Sequence, residues 1–270
     1  MRLTSQRVNY DLIAHLYDEP GRDYETDRNL VDFLNQRPDD RSSGMRILDL
    51  GCGTGKQLTA NHREFPELNM IGVDLFYGML KQARNRCGDI KWIQGDSANL
   101  PFANCAFDYI TNQFSYHHVQ DKNRMISSIF RVLKPSGRFV ITNLDPWSMP
   151  GWIVYTFFPA AHDRDLSDFL PVDDITARLE KAGFCNIQVK YQHSHRTENL
   201  NGFLNYASQR HRTSQLMAIG QNDYDRGIAE LKERVAQFGT SARISSQICL
   251  VWITSDKPGY VSKKLFPVRD

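Results

Sequence analysis

No two of the five cysteines (Cys52, Cys87, Cys105, Cys185 and Cys249) form a C-x-x-C pair, and their number is odd. Neither a zinc knuckle nor a disulfide framework is expected from that spacing; no metal is expected, and a reducing, cytoplasmic setting is the default. Long runs of one charge are also missing. Lys and Arg number 33 against 31 Asp and Glu, a net charge of +2, which is a poor footprint for a dedicated nucleic-acid binder. Apolar runs are short: "WIVYTFF" (152–158) falls well below the roughly 20 residues that a membrane helix needs. The opening "MRLTSQRVNYDL" has no apolar segment of signal-peptide length. There is no fixed-period repeat and no low-complexity tract. What is present is an ordinary globular balance, 41% hydrophobic and 24% charged over 270 residues.

Residues 7–34 read as two short helices, "RVNYDLIAHLYDE" and "YETDRNLVDFLN", broken at Pro20-Gly21, and 35–44 read as a polar connector. Strand and helix signals then alternate. Strands are expected at 45–51, 69–75, 90–96, 107–113 and 137–143, with helices at 55–65, 77–86 and 122–134 between them. The last helix carries Met125, Ile126, Ile129, Phe130 and Leu133 on one stripe, the pattern that packs on a sheet. Such alternation means βαβ units and a mostly parallel sheet. Beyond it lie an aromatic, proline-punctuated stretch (146–158), a helix over 172–183 with Asp173 as N-cap and Gly183 as its stop, and strands at 186–193 and 245–255. Between those two strands Tyr224, Ile228, Leu231, Val235 and Phe238 share one helical face. An insert of that length exceeds what a connection needs and reads as a lid.

The chemistry concentrates in "RILDLGCGTGKQL" (46–58), where Gly51, Gly53 and Gly55 follow Asp49. A Walker A loop needs G-x-x-x-x-G-K-[ST]; here the glycines are too close and Gln57 follows Lys56. A dinucleotide fingerprint, G-x-G-x-x-G, would put its third glycine where Lys56 stands, so the match is partial. A third reading is an acid before G-x-G-x-G with a second acid closing the next strand. It suits S-adenosylmethionine, whose amino group needs an acceptor, Asp49. The bare backbone of the three glycines lets the ligand approach, and Asp74 is placed for both ribose hydroxyls.

The rest of the order strengthens the third reading. "GVDLFYGMLKQA", "IQGDSANLPF", "FDYITNQFSYHHVQD" and "RVLKPSGRFVITN" resemble, in sequence, the second-strand to fifth-strand segments of class I S-adenosylmethionine-dependent methyltransferases. The likeness is close over 40–145 and looser over 146–255, and it is greatest to the small-molecule branch with the ubiquinone/menaquinone and sterol C-methyltransferases. It implies an α/β, Rossmann-like, seven-stranded, mostly parallel sheet of order 3-2-1-4-5-7-6, with helices on both faces, a helical lid insert, and the strand 245–255 antiparallel. The chain would be one methyltransferase domain: a helical cap (1–44), a cofactor-binding core (45–145), lid inserts (146–172 and 194–244), the rest of the core (173–193 and 245–256) and a tail (257–270). The cofactor residues implied are Tyr17, Asp49, Gly51, Cys52, Gly53, Gly55, Asp74, Leu75, Met79, Asp96, Ser97, Ala98, Asn112, Gln113 and His117. Asp96 would reach the adenine amino group, and Tyr17 would cover the cofactor.

His117 and His118 are candidate general bases because an imidazole titrates near neutrality. The plainer reading is that "YHHV" opens a helix beside the sheet, and a methyl on a sulfonium is already activated, so alignment alone supplies much of the rate. Trp147, Trp152, Tyr155 and Phe158, placed after the fifth strand, read as the wall for an apolar or aromatic acceptor. The plainer reading of them is ordinary core, and the wall is the favoured one; a membrane-derived acceptor would also explain them, since exposed aromatics can seat a protein on a bilayer surface. Arg196, with Arg210, His211 and Arg212, could hold an acidic group of the acceptor or form a solvated face. A nucleobase N-methyltransferase would show [DN]-P-P-[YF] where "TNQFSYHH" stands, so a nucleic-acid acceptor is disfavoured. The alternatives kept are a protein or nucleic-acid methyltransferase, a non-catalytic S-adenosylmethionine-binding protein, and a nicotinamide oxidoreductase that Lys56 disfavours. A small-molecule acceptor is the expected partner.

Overall fold

Seven strands make one sheet: β1 (Arg46–Leu50), β2 (Asn69–Asp74), β3 (Lys91–Gln94), β4 (Phe107–Gln113), β5 (Leu133–Leu144), β6 (Cys185–Asn199) and β7 (Arg243–Asp256). The computed structural model that shows them describes residues 8–18, 24–37 and 44–259. The order is β3-β2-β1-β4-β5-β7-β6, as expected. The first five strands run parallel, and β7 is antiparallel to both β5 and β6. Strand order reverses between β1 and β4, and open α/β sheets bind ligands at the carboxyl ends beside such a reversal.

The helices are α1 (Arg28–Asn35), α2 (Lys56–Glu64), α3 (Tyr77–Arg86), α4 (Lys122–Val132), α5 (Ile153–Phe157), α6 (Pro159–Asp168), α7 (Val172–Lys181), α8 (Leu200–Ala207), α9 (Ser214–Ala218) and α10 (Gln221–Phe238). Strand side chains alternate between two faces. Leu48, Leu50, Ile110, Phe139 and Ile141 meet Met125, Ile129, Ile175 and Leu179 of α4 and α7. Ile47, Met70, Tyr109 and Val140 meet Leu30, Phe33, Leu58 and Leu80 of α1, α2 and α3. On that second face the Tyr109 hydroxyl donates to Asp27 (3.0 Å), and the Asp27 amide donates to Asn61 (2.8 Å), which ties α1 to the sheet.

A third apolar cluster lies outside the sheet. Ile153, Val154, Phe157, Phe158 and Ala161 pack with Leu200, Phe203, Leu216 and Leu231, joining the two inserts to each other and to Cys249 of β7. Gly227 makes this possible: a Cβ there would stand 2.4 Å from the Phe158 ring and 2.5 Å from the Phe157 carbonyl. Among the described residues no helix is long and apolar enough to cross a membrane.

Several expectations need correction. The first N-terminal helix is a single 3-10 turn (Tyr10–Leu12) followed by turns, and the second begins only at Arg28, where Asp27 caps it. The break at Pro20-Gly21 and the chain beyond 259 lie outside the described residues. Helix α7 is capped by Pro171, so Asp173 sits in its first turn, where an acid favours the dipole. Gly183 stops that helix with φ +98. β6 continues to Asn199 and β7 starts at Arg243, because the two form a long ladder that ends at the pair Asn199–Arg243. The insert between them is therefore 200–242, and Arg196 belongs to a strand, opposite Ser246.

Candidate active site

A cavity of about 440 Å³ opens at the carboxyl ends of β1, β2 and β4. That size suits a nucleoside-sized ligand, since small-molecule sites span roughly 300–1,000 Å³. Asp49, Gly51, Cys52, Gly53, Asp74, Leu75, Met79, Asp96, Ser97 and Gln113 line it, with Tyr17, His117 and His118. The glycine loop is fixed from behind. Gly51 and Cys52 both donate to the Val73 carbonyl (2.8 and 3.1 Å), and Gly53 donates to Asp74 Oδ2 (2.8 Å). Asp74 Oδ1 accepts from Phe76 (2.9 Å), so one carboxylate joins the loop after β1 to the loop after β2.

The three glycines have three physical causes. A Cβ on Gly51 would lie 2.1 Å from Ser115 Oγ, so Gly51 admits the Ser115 side chain. Gly53 has φ +53 and open space where a Cβ would stand. Gly55 does not line the cavity; a Cβ there would meet the Trp92 ring at 2.4 Å and Ala83 at 3.0 Å, so it is a packing glycine at the start of α2. The expected ligand approach along all three glycines is thus confined to the first two. Asn112 also stands behind the wall, its amide donating to the Leu50 carbonyl (2.8 Å) and to Ser115 Oγ (2.5 Å). Ala98 is buried in the 3-10 turn that Asp96 caps through a bond from its amide (2.9 Å).

Asp49 is 4% exposed and makes no side-chain hydrogen bond or ion pair to any described residue. Burial, reinforced by Asp27 and Asp74, pushes its carboxyl well above the usual carboxylate range. Asp74 is raised as well, by burial first, against the opposing backbone hydrogen bonds. A buried acid without a partner among the described residues, beside a second raised acid, suits a cationic ligand. The ammonium and sulfonium of S-adenosylmethionine meet that requirement, and so the donor set fits the cofactor.

The N-terminal segment closes one side. Asp11 accepts from Gly78 of α3 (2.6 Å); Asp18 accepts from Thr54 Oγ1 (2.7 Å) and pairs with Lys56 (3.4 Å) and with Arg86. The Tyr10 hydroxyl lies 2.8 Å from His118 Nε2. His117 is 8% exposed and stacks on Phe169 with ring centroids 4.0 Å apart, with Asn143 the one side chain placed to support its charged form. Burial, then the neighbouring His118 and Lys122, hold its pKa well below the ordinary imidazole value, so it is neutral.

The acceptor wall differs from expectation. Trp147, Trp152, Tyr155, Phe158 and Arg196 do not line the cavity. Tyr155 and Phe158 are buried in the cluster between the inserts, Trp152 packs against it, Trp147 is 41% exposed, and Arg196 is exposed on β6. An insert that extends beyond the sheet must bury its own aromatics, which takes them from the ligand. Polar residues of α6 and of 206–218 line that side instead: Arg164, Asp165, Asp168, Tyr206, Arg212 and Ser214. Asp165, raised by burial to about 6, accepts from the Tyr155 hydroxyl (2.6 Å) and from Gln215 (3.1 Å), which locks α6 to α9. Arg210 caps the insert from within, donating to the Leu216 (2.7 Å) and Ile219 carbonyls.

Sequence reading missed Phe114, which also lines the cavity and holds φ +53, a rare conformation for a bulky residue. Its amide donates to the Thr142 carbonyl (2.8 Å). The available signal was its place, one residue past a strand at the ligand-binding edge.

Comparison with known proteins agrees with this geometry. Residues 47–137 match the family described as "Methyltransferase domain". A demethylmenaquinone methyltransferase of Beutenbergia cavernae is 31% identical over 203 residues, 65% of this chain and 80% of that protein. The enzyme of the same name from Thermotoga maritima is 35% identical over 144 residues, 51% of this chain, and the chain spans only 60% of its length. A solved structure of a putative methyltransferase from an antibiotic biosynthesis pathway of Anabaena variabilis superposes with a TM-score of 0.63 at 19% identity, covering 83% of this chain and 96% of that one; this is a likeness of fold. With the glycine loop, the acids at the strand ends and the sheet order all in place, the chain belongs to the class I S-adenosylmethionine-dependent methyltransferases.

Proposed function

We propose that the protein binds S-adenosylmethionine and transfers its methyl group to a small, ring-bearing acceptor. The observation that carries this is Asp49, a buried acid without a partner among the described residues, in the wall of a nucleoside-sized cavity. When bound, S-adenosylmethionine supplies a methyl already activated on a positively charged sulfur. Asp49 accepts the ammonium, Asp74 the ribose hydroxyls and Asp96 the adenine edge, while Leu75, Met79, Ser97 and Gln113 complete the pocket. Tyr17 and the N-terminal segment close over it. The inserts at 145–168 and 200–242 act as the lid on the acceptor side.

The acceptor reading rests on two supports. Tyr10, Tyr24, Phe114 and Tyr206 are among the residues that line the cavity, an aromatic complement suited to a planar ring, and the relatives from Beutenbergia and Thermotoga are named for a menaquinone precursor. Burial disfavours a charged His117, so His118, which lines the cavity and is tied to Tyr10, is the imidazole to take a proton released from a phenol or a ring carbon. Calorimetry with S-adenosylmethionine and S-adenosylhomocysteine is expected to show saturable, single-site binding. Binding of a nicotinamide dinucleotide instead would reject the reading. Incubation with a reduced naphthoquinone lacking the ring methyl is expected to yield a product one methyl group heavier.

A smaller effect is expected at the closure. Asp18→Asn keeps the side-chain shape but removes the charge that meets Lys56 and Arg86. A partly exposed ion pair contributes only about 0.2–1 kcal/mol. Cofactor dissociation measured by stopped flow should accelerate by roughly 1.5- to 5-fold, with little change in association.

A further inference from the structure

At the opposite, amino-terminal edge of the sheet, three side chains of unlike chemistry converge. His62 sits in the last turn of α2, Cys87 ends α3 as its C-cap, and Asp89 lies in the turn before β3. A ring nitrogen of His62, the Cys87 Sγ and an Asp89 carboxylate oxygen all lie within 4.8 Å of one another. None of these side-chain groups has a hydrogen-bond or ion-pair partner among the described residues. His62 Nδ1 is buried without a hydrogen-bond partner, and neither the Cys87 thiol nor the Asp89 carboxylate bonds to another described residue. Buried polar atoms normally find a partner, so an imidazole with an orphaned nitrogen, on a ring beside a thiol and a carboxylate, requires a cause.

We propose that His62, Cys87 and Asp89 form a binding site for a zinc-class divalent ion, separate from the methyl-transfer cavity. Donor chemistry selects the class. One nitrogen, one sulfur and one oxygen suit zinc and exclude magnesium and calcium, which want oxygen alone. Charge agrees: a thiolate and a carboxylate neutralise a divalent ion. In a tetrahedral site with bonds near 2.0–2.3 Å the ligand atoms stand about 3.2–3.8 Å apart, and the upper bound seen here closes to that by rotamer adjustment. Three protein ligands leave a fourth position, and a surface hollow that His62, Glu67 and Asp89 share gives the ion a path in. His62 and Cys87 come from the far ends of α2 and α3, whose near ends follow the glycine loop and the Asp74 loop, and Asp89 follows α3 directly. An ion here would staple together the two helices that carry the cofactor loops, without touching the reaction. The three residues are scattered along the chain, which is why cysteine spacing predicts no metal.

The test uses untagged full-length protein stripped with a chelator and then titrated with zinc against a chromophoric competitor, and in parallel with cobalt as a spectroscopic probe. One equivalent of metal should bind, with a near-ultraviolet thiolate-to-cobalt band and a raised Tm. Cys87→Ser should abolish the band, while Cys185→Ser leaves it intact. Asp89→Asn and His62→Ala should each weaken zinc by more than the roughly 10- to 100-fold that losing an outer partner of a ligand costs. Circular dichroism establishes that each variant is folded; should Cys87→Ser fail to fold, exposed Asp89 decides through its zinc affinity. Sub-stoichiometric uptake, a band that survives Cys87→Ser, or unchanged zinc affinity in Asp89→Asn would each overturn the proposal.

Discussion

Asp49→Asn should raise the dissociation constant for S-adenosylmethionine by roughly 30- to 4,000-fold, the 2–5 kcal/mol lost when one member of a buried charged hydrogen-bonded pair is removed. The same variant should be more stable than the parent in the absence of ligand. In the free protein the carboxyl is 4% exposed, without a partner among the described residues, and faces Asp27 and Asp74. Its folded pKa is raised above the unfolded value, so the folded state binds the extra proton. Stability from this group is fully present below the ordinary carboxylate pKa and is lost as pH rises toward the folded value. Asparagine escapes that loss. Thermal unfolding should therefore show Asp49→Asn with the higher Tm at neutral pH and the two proteins converging in acid. Saturating ligand should reverse the order, because a ligand at 100 times the parent's Kd adds about 2.7 kcal/mol to the parent and at most about 0.9 kcal/mol to the variant. A variant less stable than the parent without ligand would mean that Asp49 is a structural residue.

The parts of the molecule legible in its sequence are those where chemistry is local. The β1 and β2 strands carry their acids, Asp49 and Asp74, in their last two positions, and the short apolar strands alternate with amphipathic helices closely enough to order the whole sheet. What escaped depends on distant partners. Residues 7–19 have helical composition, yet Tyr10 and Asp11 spend their polar groups on His118 and Gly78, and the described part of the segment makes only one 3-10 turn. Tyr155 and Phe158 look like a substrate wall because they follow β5. Their destination was set by Leu200, Phe203 and Leu231, 42 to 76 residues downstream, which give them a core of their own. Conversely Asp165 and Arg212 reach the cavity only because the Gln215–Asp165 bond draws α9 onto α6. The order of residues along a chain shows what precedes a site more readily than what folds back over it.

The glycine motif shows the same limit at the scale of single residues, and two substitutions separate its roles. Gly53→Val should leave a folded protein that no longer binds the cofactor. The backbone there is left-handed, which costs a side chain about 1–2 kcal/mol, but nothing stands within 4 Å of the new Cβ. Gly53 belongs to the cavity wall and its amide holds Asp74, so a branched side chain takes up room that a bound nucleoside needs. A fall in Tm of several degrees and a loss of more than about 100-fold in affinity are expected, since 2.8 kcal/mol of lost contact is enough. Gly55→Val should fail earlier. Its φ of +75 carries the same backbone cost, and its Cβ would stand 2.4 Å from the Trp92 ring, with Ala83 at 3.0 Å behind. Trp92 is 7% exposed and its indole donates to the Cys87 carbonyl (2.8 Å), so it cannot swing aside without orphaning that bond. Adding overpacking of about 1–3 kcal/mol to the backbone cost, and more for the added methyls, takes up much of the roughly 5–15 kcal/mol that holds a domain together. Denaturant titration should find Gly55→Val mostly unfolded or poorly soluble, with Gly53→Val folded and lowered only by its backbone cost of about 1–2 kcal/mol. Equal loss of stability in both would mean that the loop is a single packing element, and equal loss of binding with both folded would mean that Gly55, too, stands against the ligand.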